Sequence, residues 1–171
     1  LDSAKILMIE TPYLYEEIKE AIINLIKKNE FKNNIYIRPI IYYGNGNLGI
    51  LPSECKVRFS IIAWEWSTPV DEDGLKAGIR AKISSFRRNS LNSTMSKAKA
   101  VSNYLNSQMS KKEVVTSGYD VAILLDDNGF VCETSGECLF IVRNKTLITP
   151  ANENSLESIT QATVIELAAD F

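Results

Sequence analysis

The stretch Ser67-Thr68-Pro69-Val70-Asp71-Glu72-Asp73-Gly74 constrains the fold more than any other part of the sequence. It is polar and turn-rich and offers no apolar face to bury, and Pro69 and Gly74 interrupt any regular element across it. A connection of this kind runs over the surface between two bodies. The chain therefore reads as two halves: a smaller N-terminal α/β domain over residues 1–66, a linker over 67–73, and a larger C-terminal domain over 74–171.

Hydrophobic periodicity supplies the elements of each half. Ile18, Ile22, Leu25 and Ile26 recur at helical spacing and predict a helix over Glu16–Lys28 with one buried face. The β-branched and aromatic run Ile35–Tyr43 predicts a strand, ended by Gly44-Asn45-Gly46-Asn47, residue types that tolerate positive φ. Val57–Trp64 predicts a second strand. In the second half, Gly78–Ser85 reads as a strand, and Val101, Tyr104 and Leu105 set the register of a helix over Lys99–Met109. Val121–Leu125 is a short apolar strand leading into the turn Asp126-Asp127-Asn128-Gly129. Cys138–Val142 and Thr146–Ile148 form a hairpin around Asn144-Lys145, and Ser158–Ala169 is a closing helix. Helices and strands in both halves define a mixed α/β fold.

Composition removes several function classes. Hydrophobic residues make up 45% of the 171, enough for a core, and the net charge of −2 offers no basic surface for nucleic acid. No apolar run approaches the roughly 18 residues of a membrane span, and the opening LDSAKILMIE has no signal-peptide pattern. Cys55, Cys132 and Cys138 are odd in number and widely spaced, which argues against a disulfide framework and for a reducing compartment, the cytoplasm. There is no histidine, so Ser-His-Asp and Cys-His catalysis are excluded, the commonest zinc ligand is missing, and no metal is expected. Leu1 stands in place of a start methionine and the closing helix has no glycine or proline exit, so the chain is expected to be a fragment.

Three segments have residue types suited to chemistry. Lys99, set among Lys97, Ala98 and Ala100 at the start of the expected helix, would be nucleophilic in a partly dry pocket, as Schiff-base chemistry requires. Glu133-Thr134-Ser135-Gly136-Glu137 suits a tight bend that aims a carboxylate into a cleft, where it would keep a pyridine nitrogen protonated. Ser158 is a good N-cap, which leaves the amides of Ile159 and Thr160 at a helix start suited to a phosphate. Tyr36 and Arg38, two apart on a strand, share a face and make a plausible carboxylate-recognition pair. Each also has a plainer reading, as a surface lysine, a polar turn, a capped helix and an exposed strand face, and spacing alone favours the plainer one every time.

Taken in order, the segments resemble a known family. Ser3-Ala4-Lys5, Tyr36-Ile37-Arg38-Pro39, Ile61-Ile62-Ala63-Trp64, Lys97-Ala98-Lys99-Ala100, Asn103-Tyr104-Leu105, Leu124-Leu125-Asp126, Gly136-Glu137-Cys138-Leu139-Phe140 and Ile159-Thr160 are similar to class IV aminotransferases dependent on pyridoxal 5′-phosphate (PLP), most of all the branched-chain type. The resemblance spans nearly the whole chain. It implies the two-domain fold of that class, incomplete at both ends, with segments expected before Ser3 and beyond Phe171.

It also implies roles. Lys99 matches the lysine that carries PLP and shuttles the proton, Tyr104 the tyrosine on the cofactor's phenolic oxygen, Glu133 the partner of the pyridine nitrogen, and Ile159 and Thr160 the phosphate-binding helix start. Tyr36, Arg38 and Tyr104 match substrate-contacting residues, with Arg38 toward the glutamate side chain, and Trp66 matches a wall of the apolar pocket. Leu48, Gly49 and Ile50 match a loop that reaches a neighbouring subunit, so a homodimer or larger homo-oligomer is implied. The implied reaction is ping-pong transfer of the amino group of leucine, isoleucine or valine to 2-oxoglutarate. D-amino-acid aminotransferase, aminodeoxychorismate lyase and a non-catalytic descendant of the fold are the alternatives. Departures from the family pattern are Ser158 in place of glycine, Gln161 in place of arginine, Val101-Ser102 in place of a glycine pair, Cys138 in place of asparagine, and Pro69 where a tyrosine is usual.

Overall fold

The computed structural model describes residues 1–66, 76–151 and 153–170. The chain divides into two compact units, Leu1–Asp71 and Glu72–Phe171. The expected linker, 67–73, and the substitution at Pro69 lie outside the described residues.

In the first unit, a short helix α1 (Asp2–Ile6) precedes α2 (Tyr15–Lys28) and a two-stranded ribbon of β1 (Ile35–Tyr43) and β2 (Val57–Glu65). Glu16 and Glu17 open α2 and Lys27 and Lys28 close it, charges that complement the helix dipole. Glu17 also accepts the N–H of Leu14 at 2.8 Å. Ile18, Ile22, Leu25 and Ile26 are its half-buried residues, as their spacing predicts, and the helix packs against β2. β1 and β2 pair antiparallel from Ile35↔Glu65 to Tyr43↔Val57.

The loop after β1 is built differently from the sequence expectation. None of Gly44, Asn45, Gly46 or Asn47 adopts positive φ. The glycine there answers a close approach instead: a Cβ on Gly46 would stand 2.5 Å from Cys55 Sγ and 2.7 Å from Cys55 Cα. Helix α1 has no periodic signal, because its five residues are too few to display one.

In the second unit, β3 (Ala81–Arg87), β4 (Val121–Leu125) and β5 (Val131–Thr134) form a sheet in that order. β3 and β4 are parallel, and a parallel pair needs a long crossover. A 3₁₀ turn (Val101–Asn103) followed by α3 (Tyr104–Thr116) supplies it and packs on both strands. Val114 of α3 and Ala122 and Leu124 of β4 make the buried cluster. β4 and β5 are antiparallel across the expected turn, where Asp126 Oδ1 accepts the N–H of Asn128 and of Phe130, each at 2.9 Å, and Gly129 takes φ 88°. β6 (Ile141–Arg143) and β7 (Thr146–Ile148) form the second hairpin. Its turn residues Asn144 and Lys145 have φ 51° and 60°, as a two-residue primed turn requires. Helix α4 (Ile159–Ala169) follows.

Three element boundaries differ from the periodicity. The strand expected over Gly78–Ser85 begins at Ala81, because Gly78 sits at φ 79°, outside extended backbone. The strand expected from Cys138 begins at Ile141. The helix expected over Lys99–Met109 begins only at Tyr104 and runs on to Thr116. Its buried face is Asn103, Ser110 and Val114, whereas Val101, Tyr104 and Leu105 are exposed. Small polar residues line the inward side there, so apolar spacing points to the wrong face.

Candidate active site

Lys99 belongs to the segment before the 3₁₀ turn, not to a helix. Asn103 organises that segment: its buried side-chain amide donates to Met95 O at 3.0 Å and Ala98 O at 3.1 Å. Ser96 and Ala98 turn inward and Lys99 outward. The lysine is thus exposed rather than enclosed in the dry pocket expected of its small neighbours, since only Ala98 of those neighbours is buried. Lys99 Nζ donates to Tyr104 Oη at 2.8 Å.

Glu133 lies on β5 and is mostly buried. Its Oε1 forms an ion pair with Nε of Arg88, a residue only 7% exposed just beyond β3, and the N–H of Leu156 donates to the same carboxylate. Burial pushes Glu133 above the ordinary carboxylate range, while Arg88 and the Leu156 amide pull against that rise. The second carboxylate of the bend behaves differently. Thr134 Oγ1 accepts the N–H of Glu137 at 2.8 Å and its hydroxyl bonds the Glu137 carboxylate, which folds that acid back on its own turn. Cys132 beside Glu133 is buried, and burial first, then the Glu133 charge, push its thiol up to about 11, so it is an inert packing group at neutral pH.

Ser158 caps α4 as expected: its Oγ accepts the N–H of Gln161 at 3.1 Å. The Ile159 and Thr160 amides stand in the first turn, where a helix has no internal acceptors for its N–H groups. Gln161 is buried, and its Nε2 donates to Thr149 Oγ1 at 2.6 Å, joining the helix start to the end of β7. A cleft of about 450 Å³ unites these parts, with Arg88, Lys99, Tyr104, Glu133, Ile159 and Thr160 on its walls.

Tyr36, Arg38 and Trp66 belong to the first unit and form a cluster there. Arg38 Nη2 donates to Tyr36 Oη at 3.4 Å, and its guanidinium lies 5.2 Å from the Tyr36 ring centre and 5.5 Å from that of Trp64. Trp66 is 5.4 Å from Tyr36 and 5.7 Å from Trp64. The shared strand face expected for Tyr36 and Arg38 is therefore observed, with the Trp64 ring as a third member.

Arg88 is the site residue that sequence reasoning misses. The pair Arg87-Arg88 after a strand looks like surface charge, and its burial comes from β4 and β5 closing over it, which no local pattern encodes. Asn103 and Gln161 are visible in the sequence only as family positions without a role.

The amino-transferase class IV family model matches residues 1–171, and the chain belongs to that family. Among its relatives it is similar to the branched-chain-amino-acid aminotransferase of Pseudomonas aeruginosa, 37% identical over 169 residues, covering 99% of this chain and 55% of that protein. It is 40% identical over 168 residues to the probable branched-chain-amino-acid aminotransferase of Aquifex aeolicus, covering 98% and 53%. Of solved structures, the branched-chain aminotransferase of Thermoproteus uzoniensis with norvaline superposes with a TM-score of 0.92 at 36% identity, covering 99% of this chain and 56% of the other. The branched-chain amino acid aminotransferase of Thermobaculum terrenum in its PLP form gives 0.88 at 31% identity, covering 99% and 54%. The chain spans about half the length of the curated relatives it matches.

Proposed function

We propose that the protein carrying these residues is a PLP-dependent transaminase that moves the amino group of leucine, isoleucine or valine to 2-oxoglutarate. The observation that carries this reading is a single cleft holding an amine, a phenol, a mostly buried carboxylate and the first turn of a helix. That donor set fits PLP group by group. The amine of Lys99 suits its aldehyde, the phenol of Tyr104 its ring hydroxyl, the carboxylate of Glu133 its ring nitrogen, and the amides of Ile159 and Thr160 its phosphate dianion. The cleft volume of about 450 Å³ lies in the usual range for small-molecule sites.

When bound, the cofactor supplies an aldehyde that captures amines and an aromatic ring that draws electron density from the substrate α-carbon. Lys99 Nζ takes the proton from that α-carbon and returns one later. Tyr104, already at hydrogen-bonding distance, aims Nζ. Glu133, as a carboxylate, holds a proton on the ring nitrogen. Tyr36 and Arg38 receive substrate carboxylates, with Arg38 toward the glutamate side chain, and Trp66 favours an apolar side chain. In this reading residues 1–66 are the smaller domain, 67–73 the linker and 74–171 the cofactor-binding domain. Leu48 and Ile50, both fully exposed, support contact with a second copy in a homo-oligomer. The three unpaired cysteines support a cytoplasmic setting.

The test is borohydride reduction of the whole protein with PLP, then peptide mapping and an assay with leucine and 2-oxoglutarate. A pyridoxyl label on Lys99 and turnover are expected. A label on Lys97, or none, refutes the assignment.

A further inference from the structure

Arg88 is a buried cation in the wall of the cleft. Its backbone is pinned just beyond β3, where its N–H donates to Leu125 O at 2.8 Å. Its side chain is 7% exposed, Nε faces Glu133 Oε1, and Nη1 is buried without a hydrogen-bond partner among the described residues. Burying two charges is expensive, and apolar residues of similar volume commonly serve stability as well or better. A buried pair with an unsatisfied donor therefore argues for a purpose beyond packing, and its other half, Glu133, shares the same cleft wall.

We propose that Arg88 is a positioning residue that holds the Glu133 carboxylate in one orientation and in its charged form for a ligand ring nitrogen, an inference that rests on the role proposed for Glu133. With Arg88 and the Leu156 N–H as donors, the carboxylate keeps acceptor sites for a third. Burial drives Glu133 toward its neutral form, and Arg88 is the largest influence against that, ahead of the Leu156 amide and Lys97. The other charged or titratable groups around it do not substitute for Arg88. Lys97 Nζ is 3.8 Å from Glu157 Oε1, Glu137 bonds Thr134, Lys99 bonds Tyr104, and the neutral thiol of Cys132 carries no positive charge to offer. A neutral Glu133 would have one lone-pair position replaced by an O–H donor and would lose the charge that keeps a ring nitrogen protonated.

The experiment titrates Glu133 in the whole protein without PLP, by ¹³C carboxylate NMR, with the resonance assigned by its loss in Glu133→Gln. In Arg88→Met the midpoint should rise by about one pH unit or more, and Arg88→Lys should restore most of the difference. Where Arg88→Met does not fold, Arg88→Gln, which keeps a donor but no charge, is read in the same way. A Glu133 midpoint that is the same in wild type and in the folded neutral variant overturns the proposal. A second readout separates this from the cofactor reading: visible absorbance of the wild type with PLP. Absence of that absorbance overturns the cofactor assignment, and with it the purpose given to the pair, whatever the Glu133 titration shows. Normal absorbance with an unmoved midpoint overturns only the role of Arg88.

Discussion

Lys99 Nζ stands 2.8 Å from Tyr104 Oη, across a single 3₁₀ turn. The two residues are five apart, and a continuous helix would set them on different faces. The turn brings them together by interrupting the helix before Tyr104. Tyr104→Phe should therefore retain the fold and lose a hydrogen bond to a group that carries charge in the cycle, worth about 1.5–3 kcal/mol. Turnover of leucine should fall by roughly 10- to 150-fold, with a shift in the visible spectrum of bound PLP. Unaltered turnover and spectrum would leave the tyrosine without the role given to it.

Asn103→Ala removes the buried amide that joins Met95 O and Ala98 O. Ala98 O then lacks a donor, at about 1–3 kcal/mol, while Met95 O keeps only the Ala98 N–H at 2.9 Å. The expected outcome is a lower midpoint in chemical denaturation and weaker PLP retention, because the segment carrying Lys99 loses its staple. Retention equal to wild type would show that the Lys99 segment holds its shape by other means.

Glu133→Gln replaces an ion-paired carboxylate by a neutral amide of the same shape. Turnover should fall by several kcal/mol of barrier, each ~1.4 kcal/mol being tenfold, with a much smaller change in PLP affinity. Equal losses in affinity and turnover would assign Glu133 to binding alone.

Glu113 on α3 accepts the Ser84 hydroxyl and, at 3.0 Å, the N–H of Ser85. Ser84 first, then Ser85 and the Lys82 charge, hold it below its usual 4.5. A carboxylate depressed in the folded state stabilises the fold above the unfolded value and loses that contribution as pH falls through the folded value. Glu113→Gln should accordingly lower the thermal midpoint at neutral pH, and the gap to wild type should close on acidification below about pH 4.5. A gap that is constant across that range contradicts the linkage.

Much of the local structure is legible in the sequence because it is set by neighbours along the chain. The apolar stripe Ile18, Ile22, Leu25 and Ile26 defines α2, and Val121–Leu125 with Asp126–Gly129 defines a strand and its turn. Ser158 signals the start of α4. The start of α3 is obscured for a reason of the same kind. Val101, Tyr104 and Leu105 mimic a buried stripe, while the residues turned inward are Asn103, Ser110 and Val114.

Residue order by itself determined the mixed α/β character, the strands β1 and β2, the turns at Gly129 and Asn144-Lys145, and the family to which the chain belongs. The elements and turns follow from side-chain periodicity and φ preferences, which act over a few residues. Only the tertiary structure decided that Arg88 is buried against Glu133, that Gln161 bonds Thr149, and that Lys99 lies outside the helix. Each of these depends on which strand or segment closes over which side chain, and that is set by strand pairing and crossover, beyond the reach of any local pattern.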